Sequence, residues 1–219
     1  MEELYNELTQ KAINLMNESN GNRILIGIAG PPGSGKTTTA KNVCEKINQK
    51  QDAEIAAVMP MDGFHFTRNE LSKMENPEYL FKRRGAPFTF NSKELLEKVK
   101  ELKCSKTLVT APSFNHSIKD PKENDIQISS TIKIVILEGN YLLLKDPIWC
   151  EISKELNQKW LITADWEIIK ERLIQRHLNA GICSNFNEAL ERANENDIPN
   201  GKYIIENSVK PDFTFRGDI

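Results

Sequence analysis

Short apolar runs and amphipathic stretches alternate along the chain. Residues 24–29 are aliphatic and β-branched and end in a glycine- and proline-rich turn, which is typical of a buried parallel strand. Similar runs lie at residues 55–61, 107–111, 132–137 and 160–164. Apolar residues recur at helical spacing over residues 2–18, 37–49, 92–102 and 166–179. Strands that alternate with helices predict an α/β fold, a doubly wound three-layer α/β/α arrangement around a mainly parallel sheet.

Two segments interrupt this alternation. Residues 68–90 are rich in charged and aromatic side chains, and residues 113–125 contain Pro121 and several Asp and Lys residues. Long connections at strand ends usually carry function, so we interpret both as functional excursions from one core. The tail contains the sequence DFTF at residues 212–215, which favours an additional edge strand. The 219 residues suit a single domain, residues 1–219.

Composition narrows the range of partners. The 29 basic and 31 acidic residues give a net charge of -2, which argues against the positive field that non-specific nucleic-acid binding uses. The four cysteines form no CxxC pair, so neither zinc nor a disulfide framework is indicated. The polar N-terminus and the lack of a membrane-length apolar run predict a cytoplasmic protein without a membrane partner.

The sequence GPPGSGKT at residues 30–37 predicts a phosphate-binding loop. Its glycines allow several backbone N–H groups to converge on one phosphate, and the following helix adds its positive N-terminal end. Lys36 is expected to reach the β- and γ-phosphates of ATP, and the Thr37 hydroxyl is expected to ligate Mg²⁺. We expect the nucleotide to contact nine successive residues: Gly30, Pro31, Pro32, Gly33, Ser34, Gly35, Lys36, Thr37 and Thr38.

Two carboxylates follow predicted strands near this loop. Transfer of a phosphoryl group to a hydroxyl requires a group that takes the hydroxyl proton, and Asp62 is the leading candidate. It ends the second apolar run, at the sheet edge where open α/β sheets bind ligands, although an Asp-Gly pair there also forms simple turns. Glu138 ends the apolar sequence KIVILE and is expected to hold Mg²⁺ or its water shell.

The motifs together resemble the phosphoribulokinase and uridine kinase family of P-loop kinases. They are GPPGSGKTT, MDGFH, PSFNHSIKDP, ILEGNYLLL and RLIQRHLNAG, and RRGAP and NDIPN place the resemblance nearest to small uridine-kinase-like proteins of unassigned substrate. The resemblance implies a five-stranded core, ATP and Mg²⁺ as cofactors, and transfer to a hydroxyl of a small metabolite. It implies Asp62 as the base, and it divides the chain into a core (22–164), a lid region (165–198) and a C-terminal segment (199–219).

The helix from residue 166 would form the helical lid. Arg172 and Arg176 lie four residues apart and therefore on one helical face, from which both could reach the transferring phosphoryl group. Uridine kinases typically carry adjacent arginines here, whereas this chain has Gln175 before Arg176. Arg176 is therefore the stronger candidate, and a solvated basic helix face is the alternative for both.

Candidate acceptor contacts come from three parts of the chain. Phe64 and His65 follow the proposed base, Arg84 lies in the middle excursion, and Phe114 and His116 lie in PSFNH. Arg83 and Arg84 suit an acidic or phosphorylated acceptor, and exposed arginines without a ligand are the alternative. Nucleoside, pantothenate, sugar and sugar-phosphate kinases all stay open. A nucleotide-dependent switch without metabolite phosphorylation is a further alternative. The oligomeric state, monomer or homodimer, is also open.

Overall fold

The computed structural model describes residues 1–115 and 117–218. The strands are, in chain order, β1 (Ile24–Ala29), β2 (Ala56–Pro60), β3 (Val109–Asn115), β4 (Asp120–Ile128), β5 (Ile134–Glu138), β6 (Gln158–Thr163) and β7 (Phe213–Arg216). The helices are α1 (Glu2–Glu18), α2 (Lys36–Gln51), α3 (Arg68–Lys73), α4 (Pro77–Lys82), α5 (Ser92–Cys104), α6 (Trp149–Glu155), α7 (Trp166–Asn179), α8 (Phe186–Arg192) and α9 (Ile198–Asn207).

The main sheet has five strands in the order β2-β5-β1-β6-β7. Every neighbouring pair in it is parallel, in agreement with the predicted architecture. All residues of β1 and β5 are buried, which explains why these strands are continuous apolar runs rather than alternating ones. The expected edge strand at the C-terminus is present as β7, paired with β6.

The apolar run at residues 107–111 does not join this sheet, and the expectation that it would is wrong. It contributes to β3, which pairs with β4 as a separate antiparallel ribbon. Residues 113–125, interpreted from the sequence as a loop, form much of the same ribbon. Val109 and Ala111 are buried against α5 and the neighbouring core, so their apolar character reflects a packed ribbon face rather than a central strand.

Helices cover both faces of the main sheet, which gives the predicted three layers. One face packs against α1 and α2 through residues such as Leu8, Val43 and Ile26. The opposite face packs against α5 and α6 through residues such as Leu95 and Ile152. Burial of these apolar faces supplies the main driving force for the fold. Within the described ranges, no helix is long and apolar enough to cross a membrane.

The strand order fixes where the functional segments lie. The phosphate loop follows β1, Asp62 follows β2, and Glu138 is the last residue of β5, the strand between them. Parallel strands end at one edge of a sheet, so these three segments share that edge. A third apolar cluster is formed mainly by α7 and α8 and includes Leu173 and Ala189.

Arg23 is expected to be a stabilising residue that has no part in catalysis. Its buried guanidinium donates to the carbonyl oxygens of Ile132 (2.9 Å), Leu102 (3.0 Å) and Ser129 (2.9 Å). Arg23→Met leaves these carbonyls without their donors and should lower the free energy of unfolding by about 2–4 kcal/mol. Urea unfolding measures this loss. Lys154→Met, at an exposed site on α6, should leave the urea midpoint unchanged, and equal midpoints for both variants would contradict the expectation.

Candidate functional site

The phosphate loop needs glycine at positions where no side chain fits. A Cβ at Gly30 would lie 2.2 Å from the carbonyl oxygen of Ile162 on β6, so a larger residue would displace the loop from the sheet. Gly35 has φ of 100°, a left-handed conformation that L side chains rarely adopt. The first helical residue of α2 follows at once, so the loop amides and the helix N-terminus face the same space.

Lys36 is the cationic centre of this loop. Its side chain is buried, and its ammonium group donates to the carbonyl oxygens of Gly30 (2.9 Å) and Pro31 (2.8 Å). Burial lowers the pKa of Lys36 to about 8, against the opposing effect of the charges of Glu138 and Asp62. A lysine in this state is costly to keep charged, and a phosphate anion would relieve that cost.

Glu138 and Thr37 face each other across the loop. The Thr37 hydroxyl donates to Glu138 Oε1 at 2.9 Å. Burial raises the pKa of Glu138, and the negative charge of Asp62 raises it further, while Lys36 and the Thr37 hydrogen bond oppose the shift. A nearby cation would therefore stabilise the ionised form of this carboxylate.

Asp62 lies in a 3₁₀ turn, Met61–Phe64, directly after β2. A Cβ at Gly63 would lie 2.0 Å from the carbonyl oxygen of Pro112, so this turn packs against the β3 backbone with no room for a side chain. The Asp62 carbonyl oxygen accepts from the His65 backbone N–H (3.2 Å) and lies 2.8 Å from His65 Nδ1. Asp62 follows β2 at the sheet edge that also carries the phosphate loop, and its charge raises the pKa of both Lys36 and Glu138.

The oxygen atoms at this edge fit a magnesium ion held together with phosphate. The Thr37 hydroxyl and the Glu138 carboxylate supply hard oxygen donors on one side of Lys36, and Asp62 adds negative charge. Within residues 1–115 and 117–218, no group of three or more His, Cys, Asp or Glu side chains could hold a metal ion alone. Magnesium commonly binds through few protein ligands and several phosphate oxygens, so this sparse set agrees with it.

The helix α7 packs directly on the phosphate loop. A Cβ at Gly33 would lie 3.2 Å from the Ile169 carbonyl oxygen, which shows how closely the two backbones approach. Arg172 Nη1 donates to the carbonyl oxygens of Gly217 (3.1 Å) and Gly33 (3.3 Å). Arg176 is more exposed, and its positive charge lowers the pKa of Lys36.

Three of the five predicted acceptor residues lie close to one another. The His65 ring lies 4.8 Å from the Phe114 ring, and the Arg84 guanidinium lies 5.9 Å from the centre of that same ring. Phe64, in contrast, is buried in the core, so the structure does not support its expected contact with an acceptor. His116 lies outside the described residues.

Several residues at the site were not predicted from the sequence. Asp120 pairs with Arg84 at 3.1 Å, and Arg83 donates to Asn200 Oδ1 at 2.9 Å. A Cβ at Gly217 would lie 2.1 Å from the Ser34 carbonyl oxygen, so the C-terminal segment closes against the phosphate loop. A lone glycine ten residues after the end of α9 carries no local signal for this contact, whereas the adjacent pair Arg83 and Arg84 did indicate a functional segment.

The fold and the loop define a P-loop kinase. The sequence matches the model of the phosphoribulokinase / uridine kinase family over residues 25–180, and the chain belongs to this family. A Schizosaccharomyces pombe protein named "putative uridine kinase" is 37% identical over 97% of this chain and 90% of its own length. The ATP-dependent kinase YFH7 of Vanderwaltozyma polyspora is 31% identical over 87% of this chain, but the match spans only 63% of that relative.

A solved structure agrees with this assignment. That structure is of a "putative fructose transport system kinase" from Silicibacter sp. TM1040. It superposes on this chain with a TM-score of 0.86 at 28% identity, and the match covers 96% of this chain and 98% of the Silicibacter chain. The kinase relatives favour an enzyme over the nucleotide-dependent switch that the sequence left open. The chain is an ATP-dependent phosphotransferase.

Nucleotide affinity should fall as the pH rises above about 8. Burial holds the pKa of Lys36 at about 8 in the free protein, and a bound phosphate raises it, so binding takes up a proton above that pH. We expect the ADP dissociation constant to be flat just below pH 8 and to rise by up to about tenfold per pH unit above it. Calorimetric titration from about pH 7 to about pH 9.5 measures the profile.

Two lysine variants control this experiment. Lys36→Met should bind ADP weakly and without the pH dependence, because the titrating group is gone. Lys50→Met, at an exposed position at the end of α2, should keep the wild-type profile. A wild-type dissociation constant that does not change with pH would contradict the assignment to Lys36.

Proposed function

We propose that this kinase transfers the γ-phosphoryl group of ATP to a hydroxyl of a small metabolite, with Asp62 as the general base. The observation that carries the proposal is the electrostatic grouping of Asp62, Glu138 and Lys36. These residues come from three neighbouring strand ends, and the charge of Asp62 acts on the other two. A base beside the γ-phosphate is what transfer to a hydroxyl requires and what a nucleotide switch does not.

The donor side would hold ATP through the backbone amides of residues 33–37 and through Lys36. Lys36 would exchange its two loop carbonyls for oxygens of the β- and γ-phosphates. Thr37 and Glu138 would hold Mg²⁺, which supplies charge neutralisation on the phosphates. Asp62 would accept the proton from the acceptor oxygen as that oxygen approaches phosphorus. Positioning and fixed charges would supply most of the rate.

The two lid arginines would have different roles. Arg172 is fixed by carbonyl oxygens of the phosphate loop and of the C-terminal segment, so it would tie the lid to the loop. The Arg176 guanidinium is half-exposed and lies 3.9 Å from Asp197 Oδ1, which is too far for a hydrogen bond. We therefore assign contact with the transferring phosphoryl group to Arg176. Closure of the helix over the loop would also exclude water.

The acceptor would bind between Asp62 and Arg84, beside the rings of His65 and Phe114. Arg84 Nη2 donates to the Phe66 carbonyl oxygen (3.0 Å) and to Asp120, while Nε and Nη1 have no hydrogen-bond partner among the described residues. Unpaired guanidinium donors are costly when buried and are well suited to an oxyanion. This favours an acceptor with a carboxylate or phosphate group, such as a sugar phosphate, over an uncharged nucleoside.

Asp62→Asn tests the base directly. The variant keeps the size of the side chain, so ATP affinity should be retained, whereas acceptor-dependent ADP release should fall by about 10²–10⁴. Coupled measurement of ADP release gives the rate, and calorimetry gives the affinity. Asp52→Asn, an exposed carboxylate at the end of α2, is the matched control and should behave as the wild type. Phosphoryl transfer at the wild-type rate in Asp62→Asn would show that the mechanism is wrong.

The acceptor class can be found by screening ADP release with nucleosides, pantothenate, sugars and sugar phosphates. We expect acceptors with an anionic group to stimulate release more than their uncharged counterparts. For the best acceptor, Arg84→Gln should raise the KM by about tenfold or more while the KM for ATP stays the same. Lys73→Gln, exposed on α3, should leave both values unchanged. Preference for an uncharged acceptor, with no effect of Arg84→Gln, would exclude the anionic class.

A further inference from the structure

The segment at residues 195–200 lies between the lid helix and the acceptor excursion. It spans the end of a π-helical turn, Ala193–Asp197, and the beginning of α9. Such turns are rare and occur frequently at functional sites. Asn196, Asp197 and Asn200 are all buried although they are polar, and buried polar side chains need partners.

On the lid side, Asp197 contacts two consecutive residues of α7. Its Oδ2 lies 2.8 Å from Nε2 of His177, a buried residue, and its Oδ1 lies 3.9 Å from Nη2 of Arg176. The first contact fixes the carboxylate, and the second places its remaining charge beside the guanidinium. The Arg176 contact is longer than a hydrogen bond, so its effect is that of a nearby charge.

On the other side, the same segment contacts the acceptor excursion. Arg83 Nη2 donates to Asn200 Oδ1 at 2.9 Å, and Asn196 Nδ2 donates to the Arg84 carbonyl oxygen at 3.3 Å. Asn196 and Asn200, which flank Asp197 in the sequence, are therefore hydrogen-bonded to the stretch that carries Arg84, the proposed acceptor-binding arginine. Its position is set by contacts from both sides of the site.

The charges around Arg176 explain why such a carboxylate is needed. Arg176 repels Lys36, and this repulsion lowers the pKa of the lysine. Without a compensating charge, a half-exposed arginine would turn toward solvent and away from the phosphate loop. The carboxylate of Asp197, 3.9 Å from the Arg176 guanidinium, offsets that repulsion by compensating part of the arginine's positive charge.

We propose that Asp197 is a positioning residue for phosphoryl transfer, which holds the Arg176 guanidinium toward the phosphate loop from a segment anchored on the acceptor excursion. This inference rests on the proposed contact of Arg176 with the transferring phosphoryl group. It differs from a purely structural role, in which Asp197 would only satisfy the buried His177. Asp197→Asn separates the two roles, because the amide oxygen can still accept from His177 while the charge beside Arg176 is lost.

The experiment measures affinity for ADP and for ADP with aluminium fluoride, a mimic of the transferring phosphoryl group, both with Mg²⁺. Arg176→Gln should leave ADP affinity unchanged and should lower the affinity for the aluminium fluoride complex by about tenfold or more. Asp197→Asn should lower the same affinity by about threefold to tenfold. The double variant should match Arg176→Gln alone, because Asp197 acts through that side chain. Glu191→Gln, an exposed carboxylate on α8, is the control and should have no effect.

Each outcome decides the inference. Additive losses in the double variant, or a wild-type affinity in Asp197→Asn, would show that Asp197 does not position Arg176. If Arg176→Gln has no effect, the proposed role of Arg176 fails and the inference fails with it, while the Asp62→Asn result still tests the base separately. If Asp197→Asn does not fold, as judged by thermal unfolding, Arg83→Gln takes its place. That variant frees Asn200 without touching His177, and it should weaken the aluminium fluoride complex selectively; an unchanged affinity would overturn the inference.

Discussion

The buried ammonium group of Lys36 is the interaction on which the arrangement of the site depends. Removing a lysine from water is unfavourable unless its charge is compensated, and here the compensation comes from two loop carbonyls and two carboxylates. The carboxylates belong to Asp62 and Glu138, which follow different strands. Their charges act on the lysine because β2, β5 and β1 are adjacent and parallel and end at the same sheet edge. The charge compensation of Lys36 therefore depends on the strand order.

The donor side of the site could be predicted from the sequence because its determinants are local. The glycines of residues 30–35 dictate the loop, and the helix that begins at Lys36 follows from the same few residues. The lid helix α7 was predicted with its observed bounds from the regular apolar spacing, and in the structure Asp165 caps its N-terminus. Asp62 and Glu138 were expected at strand ends from apolar runs alone, and the structure places them there.

The acceptor side could not be predicted to the same extent, because its contacts join distant parts of the chain. Residues 107–111 have the apolar character of a central strand, yet the burial that produces it comes from a ribbon packed on α5. Phe64 follows the proposed base in sequence but points into the core. The side-chain partners of Arg83 and Arg84 include Asn200 and Asp120, which lie 117 and 36 residues away. No spacing rule connects such pairs.

A kinase that binds a small acceptor must prevent transfer to water, and the contacts around residues 195–200 suggest how this chain meets that requirement. An arginine that stabilises the transferring phosphoryl group is useful only when the acceptor is present. Here the carboxylate beside Arg176 belongs to a segment that is hydrogen-bonded to the stretch carrying Arg84. The stretch that carries Arg84 and the lid arginine are thus connected through polar contacts of Asn196 and Asp197, although they lie far apart in sequence.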